Sequence, residues 1–303
     1  MNDAIRQLPL YTELAERTVC SYLPGTEGYQ KTVLEASCYS VINGGKRLRP
    51  VMMLAAYELI KGKKEGCGSL SEEERSVIGP FMAAMEMIHS SSLVHDDLPC
   101  MDNDTLRRGK PSTWAKYGED MGTLAGDALM IYAFETAVKS SADPANVVRA
   151  IRVLAEKTGI CGMIGGQTVD VELTGKRPDR DQLIYIYENK TGALIQASLM
   201  IGAILAGADE KQTEKLGKAA LDIGMAFQIR DDILDVTSTA EELGKPIGSD
   251  ADCGKVTWLT YYGMEQSEKD VQAYTESAVN TVRELGGHAF LEALLEYLVT
   301  RTK

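Results

Sequence analysis

The chain has 303 residues, enough for one large core or two ordinary ones. Hydrophobic residues make up 44% and aromatics 6%, while 32 Lys and Arg stand against 44 Asp and Glu, a formal net charge of −12. That balance excludes a bulk attraction to nucleic acid or to an anionic membrane surface, so an anionic ligand must be held by local basic clusters or by metal ions.

The first residues, MNDAIRQLPLYTELAER, carry acids early and no continuous apolar run, so no signal peptide is expected. Cys20, Cys38, Cys67, Cys100, Cys161 and Cys253 form no metal-ligand spacing and read as free thiols of a reducing cytoplasm. Stretches rich in Ala, Leu, Met, Glu and Lys favour helix, because straight side chains lose little rotamer freedom there. Helices are expected over 28–42 and 50–60, separated by Gly44-Gly45, with Pro50 suited to a first turn. Residues 61–71 read as a loop, and Ser71 with Glu74 has capping-box spacing for the next helix. Pro80 either kinks that helix or begins a new one running to about Asp97. Further helices are expected over 119–139, 144–158, 181–206, 210–236, 266–285 and 288–302. The segment GQTVDVEL (166–173) alternates like a strand but sits among helices and is assigned helix. The uncharged run from Thr191 to Ala208 approaches bilayer-spanning length, yet Gln196, Ser198 and its glycines favour a buried central helix, and no transmembrane segment is expected. Residues 237–256 read as an irregular loop. With no strand pairs, repeats or linkers, the expectation is one all-α domain over 1–303, a large helical bundle.

Two acidic clusters carry the chemistry. In Asp231-Asp232-Ile233-Leu234-Asp235, Asp231 and Asp235 are one helical turn apart, and the apolar stripe Leu216, Ala220, Ile223, Phe227 runs into Asp231. These carboxylates are therefore expected to face inward, where clustering them is costly unless cations neutralise them. In Asp96-Asp97-Leu98-Pro99-Cys100-Met101-Asp102, a regular helix would put Asp96 and Asp102 on different faces. Pro99 disfavours helix at Leu98 and lets the chain turn Asp102 back. Carboxylate-only ligation points to a hard cation, Mg²⁺, which takes one or two carboxylates plus substrate phosphates.

Basic residues accompany both clusters: Gly-Gly-Lys-Arg-Leu-Arg-Pro at 44–50, Arg107-Arg108-Gly109-Lys110, Lys190-Thr191, and Gly244-Lys245 with Lys255. Arg offers planar forks to phosphate oxygens and Lys a point charge, so the set implies two diphosphate groups.

In GGKRLRP, HDDLPCMDNDTLRRGKP, GQTVD, NKTG, FQIRDDILD and GKPIGSD, taken in this order from about Gly44 to about Thr257, the sequence resembles the trans-isoprenyl diphosphate synthases, the farnesyl and geranylgeranyl diphosphate synthase family. The four-residue spacing inside DDLPCMD is similar to the bacterial and plant-plastid branch. The resemblance implies an isoprenoid-synthase bundle around a central cavity, a homodimer, and Mg²⁺ held by Asp96, Asp97, Asp102, Asp231, Asp232 and Asp235. It implies that Arg107, Lys190, Thr191, Gln228 and Lys245 contact the allylic diphosphate, Lys190 and Lys245 acting with the aspartates in catalysis. Lys46, Arg49, His89 and Arg108 would hold isopentenyl diphosphate. Metal and cations would stabilise the departing diphosphate, and the isopentenyl double bond would attack the allylic cation. Ser91 and Ser92, small where relatives often carry bulk, would leave the tail pocket open toward a twenty-carbon product. A terpene cyclase is the nearest rival, but it needs no second diphosphate site; a non-catalytic subunit of a synthase typically loses one Asp motif, and here both are intact.

Overall fold

The computed structural model describes residues 3–63, 69–237 and 256–300. Apart from one short hairpin, the regular structure among them is helical: a 3₁₀ turn at Asp3–Gln7, α1 Leu8–Ser21, α2 Lys31–Ile42, α3 Leu48–Ile60, α4 Glu72–Asp96, α5 Thr113–Tyr117, α6 Glu119–Ala137, α7 Pro144–Thr158, α8 Met163–Glu172 and α9 Arg180–Ile186. A π-turn at Tyr187–Gly192 leads into α10 Ala193–Leu205, followed by α11 Glu210–Thr237, α12 Trp258–Glu284 and α13 Ala289–Thr300. The described residues cluster into two units. An N-proximal unit gathers Pro9–Leu54 and Gly68–Ile151, and a C-proximal unit gathers Met1–Leu8, Ala55–Cys67 and Arg152–Lys303.

The N-proximal unit is organised by α4, which packs on α6 and α2. The capping box forms: Ser71 Oγ accepts from the Glu74 N–H at 3.2 Å, and Glu74 accepts from the Ser71 N–H at 3.0 Å. Phe81, Met82, Met85 and Ile88 are fully buried, each worth about 1.5–3 kcal/mol of apolar burial. Helix α4 neither stops nor restarts at Pro80. Proline lacks the N–H that would meet the Ser76 carbonyl, and that carbonyl instead accepts from the Ser141 N–H at 3.0 Å. By length and composition α4 could cross a membrane, but 78% of its apolar window is buried within the protein, as in a core helix.

The expectation of no strand pair is corrected by β1 Leu106–Arg107 and β2 Lys110–Pro111, an antiparallel pair too short to show alternation. Arg108 and Gly109 both have positive φ (56° and 76°), as a two-residue I′ hairpin turn requires.

In the C-proximal unit α11 packs against α12 and α10. The run expected to be a central helix is α10, buried along most of its length, and GQTVDVEL is helical in α8 through Glu172. Helix α12 starts at Trp258, well before the expected 266. Gly263 (φ 69°) interrupts it, so the aromatic turn ahead of the glycine has no 3.6-residue stripe of its own.

Candidate active site

The first aspartate motif ends α4. Asp97 is its C-cap, and the chain turns at Pro99 so that the Asp102 N–H reaches the Asp96 carbonyl at 2.9 Å. Asp96 is half-buried and Asp102 exposed, both on the outside of this turn. Asp97 points the other way: it is 2% exposed, and Arg107 grips it through Nε at 2.9 Å and through Nη2. Arg107 also reaches Asp104 at 3.3 Å. Burial pushes the Asp97 carboxyl up, and the guanidinium only partly offsets this. Asp97 thus departs from the ligand reading, because its oxygens already serve Arg107.

The GGKRLRP segment builds a cavity of about 570 Å³ in the same unit, lined by Gly45, Lys46, Arg49, Glu86, His89 and Arg108 among others. Arg47 forms its buried clasp, bonding Glu86 at 2.6 Å, Glu16, and the Val41 carbonyl. A side chain at Gly45 (φ 139°) would lie 2.7 Å from the Arg108 guanidinium, so glycine lets Arg108 lie over the loop. The consecutive arginines therefore diverge, Arg107 to the aspartates and Arg108 to the cavity. Arg49 Nη1 lies 3.3 Å from His89 Nε2, and the buried Arg49 Nε has no hydrogen-bond partner among the described residues. Burial, then Arg49 and the other arginines, hold the His89 imidazole well below its usual range, so it stays neutral and accepts from Arg49. A partly buried cluster with surplus donors and cations suits an anion. Lys46, Arg49, His89 and Arg108, which sequence placed at one site, do share it.

The second motif stays helical throughout. Asp231 is half-buried; Asp232 and Asp235 are each 6% exposed. Asp232 Oδ2 accepts from Tyr187 Oη at 2.6 Å and from the Trp258 N–H at 2.8 Å, so this aspartate too is occupied by protein donors. The π-turn carries Lys190 and Thr191; its extra residue per turn is a distortion often found at functional sites. Thr191 Oγ1 donates to Gln228 on α11, and Lys190 Nζ meets Asp170 of α8 at 2.5 Å. A Cβ at Gly166 would fall 2.2 Å from the Lys190 backbone nitrogen, which explains the glycine of GQTVD. Sequence reasoning quoted Asp170 without a role and missed Tyr187, Glu16 and Glu86. The signal for Asp170 was its place in an ordered motif; the others had none. Lys245 lies outside the described residues.

Ser90 and Ser91 are fully buried with hydroxyls unpartnered among the described residues, while Ser92 donates to the His89 carbonyl at 2.9 Å. Among the described residues no cluster of three or more His, Cys, Asp or Glu is gathered tightly enough to hold a metal by itself. In the N-proximal unit Asp96 and Asp102, and in the C-proximal unit Asp231 and Asp235, each offer hard oxygens only, a donor type that fits Mg²⁺ completing its shell with phosphate and water.

The polyprenyl synthetase family model matches residues 30–289. The geranylgeranyl diphosphate synthase of Cyanophora paradoxa is 40% identical over 293 residues, covering 95% of this chain and 93% of that protein. The chloroplastic geranylgeranyl pyrophosphate synthase of Capsicum annuum is 41% identical over 272 residues, covering 88% and 71%. An FPP/GFPP synthase structure from Zymomonas mobilis is similar at TM-score 0.83 and 32% identity, covering 98% of this chain and 99% of that one. A geranyltransferase from Helicobacter pylori, solved with magnesium and isoprenyl diphosphate, is similar at TM-score 0.80 and 31% identity over 99% and 97%.

Proposed function

The chain belongs to the polyprenyl synthetase family, and we propose that it is a short-chain trans-prenyltransferase that condenses isopentenyl diphosphate with allylic diphosphates. The observation that carries this is the cavity around Arg49, His89 and Arg108, an anion site apart from the carboxylates of the first motif. A terpene cyclase has no use for it.

Asp96 and Asp102 of the first motif, and Asp231 and Asp235 of the second, would each hold Mg²⁺, which when bound stabilises charge on a departing diphosphate. Lys190, Thr191 and Gln228, with Lys245, bind and orient the allylic diphosphate; Arg107 contributes charge while it fixes Asp97. Arg49, Lys46 and Arg108 hold isopentenyl diphosphate, and the neutral His89 keeps Arg49 aimed. The apolar core of α4 excludes water that would quench an allylic cation. The single family match, residues 30–289, runs through parts of both units, which supports one functional domain. Exposed Leu124 and Ile131 on one face of α6, with Val138 at its C-cap, recur every seven residues and support a homodimer, which sedimentation of Ile131→Glu would test. The free cysteines Cys20, Cys38, Cys100 and Cys161 support a reducing cytoplasm as the location.

The test is incubation of the protein with isopentenyl diphosphate and each allylic primer, followed by chromatography of the products. The expected product has twenty carbons, because Ser91 offers no bulk on α4 just before Asp96, and Ser91→Tyr should shorten it to fifteen. Absence of any chain-elongated product would overturn the reading. Arg49→Ala should raise the KM for isopentenyl diphosphate by about tenfold or more, the loss expected for charge-assisted bonds to a diphosphate, and leave the allylic KM near its wild-type value.

A further inference from the structure

We infer that Asp232 is a tie-point of the allylic half-site, not a metal ligand, and that Tyr187 is a positioning residue acting through it. A buried carboxylate needs hydrogen bonds to keep its charge, and two donors meet one oxygen of Asp232. Tyr187 Oη lies 2.6 Å and the Trp258 N–H 2.8 Å from Asp232 Oδ2. The donors come from two different elements. Tyr187 opens the π-turn three residues before Lys190, and Trp258 is the first residue of α12. Their rings stack at 6.3 Å between centroids with planes 30° apart, and Trp258 Nε1 is fixed in turn on Asp270 at 2.8 Å. Asp232 therefore joins α11, which carries the second aspartate motif, to the turn that bears Lys190 and Thr191 and to the start of α12. A π-turn has weaker internal bonding than α-helix and relies on such outside support. If Oδ2 turned to a metal, it would release both donors at once.

The inference rests on the prenyltransferase reading, and its test separates the two. An amide oxygen can replace Oδ2 for both donors, whereas an amide is a poor Mg²⁺ ligand beside carboxylates. Asp232→Asn should therefore keep turnover within about threefold of wild type at unchanged Mg²⁺ requirement, since the bonds to Tyr187 Oη and the Trp258 N–H are both retained. Tyr187→Phe should raise the allylic KM about tenfold, the loss expected for one charge-assisted bond, with the isopentenyl diphosphate KM unchanged. Independently of activity, amide exchange at Trp258 in metal-free protein should quicken in Asp232→Ala and remain slow in Asp232→Asn. An Asp232→Asn enzyme as inactive as Asp232→Ala and demanding more Mg²⁺ would make Asp232 a ligand and overturn the inference. Wild-type allylic kinetics in Tyr187→Phe would also overturn it. If wild-type protein formed no prenyl product, the function would fail, while Trp258 exchange would still decide the tie-point.

Discussion

The two aspartate motifs reach the same arrangement by opposite backbone routes. In the first, the helix stops at Asp97 and a proline turn brings Asp102 back over Asp96. In the second, α11 runs on through Asp235 to Thr237, and Asp231 and Asp235 stack by helical repeat. In both, the second aspartate of the pair turns inward and is taken by protein donors. The first uses an ionic partner, Arg107, and the second two neutral ones, a phenol and a backbone amide. In each pair the first aspartate is half-buried and the second is buried, and the buried one is held by donors from another element.

The sharpest way to break this comparison is to remove the half-buried carboxylates. Asp96→Ala and Asp231→Ala should each lower turnover by about 10³-fold or more, with helix content by circular dichroism unchanged. Activity near wild type in either variant, or full activity in excess EDTA, would contradict the division of labour.

Much of that division was legible before the structure. Pro99 announced the turn, and the spacing of Asp231 and Asp235 announced a shared face, because both follow from local backbone geometry. The capping box at Ser71 was equally readable, while the grouping of Lys46, Arg49, His89 and Arg108 came from the family resemblance alone. The inner role of Asp97 and Asp232 was not, because it depends on Arg107, Tyr187 and Trp258, whose approach is tertiary. Which of the two expectations at Pro80 holds, a helix carried through or a new one begun, was hidden for the same reason: the donor that meets the Ser76 carbonyl is Ser141, distant in sequence. The π-turn was hidden because one extra residue per turn leaves the apolar stripe of the flanking helices nearly intact.

A smaller effect sharpens the ionic-versus-neutral contrast. Asp97→Asn leaves the Arg107 guanidinium, about a third exposed, facing an amide, and should cost about 2 kcal/mol in denaturant unfolding. Asp232→Asn keeps acceptors for neutral donors and should cost less than about 1 kcal/mol. Equal costs for the two substitutions would show that the partner's charge does not distinguish the two aspartates.

The smallest expected effect lies in the cavity beside the first motif. His89 is held well below its usual range by burial first and then by Arg49, Arg108, Arg47 and Arg107; the cavity's one acidic lining residue, Glu86, is engaged by Arg47. The folded protein thus keeps this imidazole neutral where the unfolded chain, titrating near its ordinary value of 6.5, takes up a proton. Its contribution is fully present above about pH 6.5 and is lost as the pH falls toward the depressed folded value, at up to about 1.4 kcal/mol per pH unit for one proton. Other groups titrate in the same window, so the informative quantity is a difference. Wild-type protein should lose stability faster than His89→Gln between pH 7 and 5, since glutamine retains an acceptor for Arg49 and cannot charge. Inorganic pyrophosphate in the cavity should shrink that difference, because an anion beside the imidazole favours its protonated form and offsets the arginines. Parallel pH profiles for the two proteins, with or without pyrophosphate, would mean that His89 does not sense the cations around it, and the cavity would lose its electrostatic distinction from the second motif.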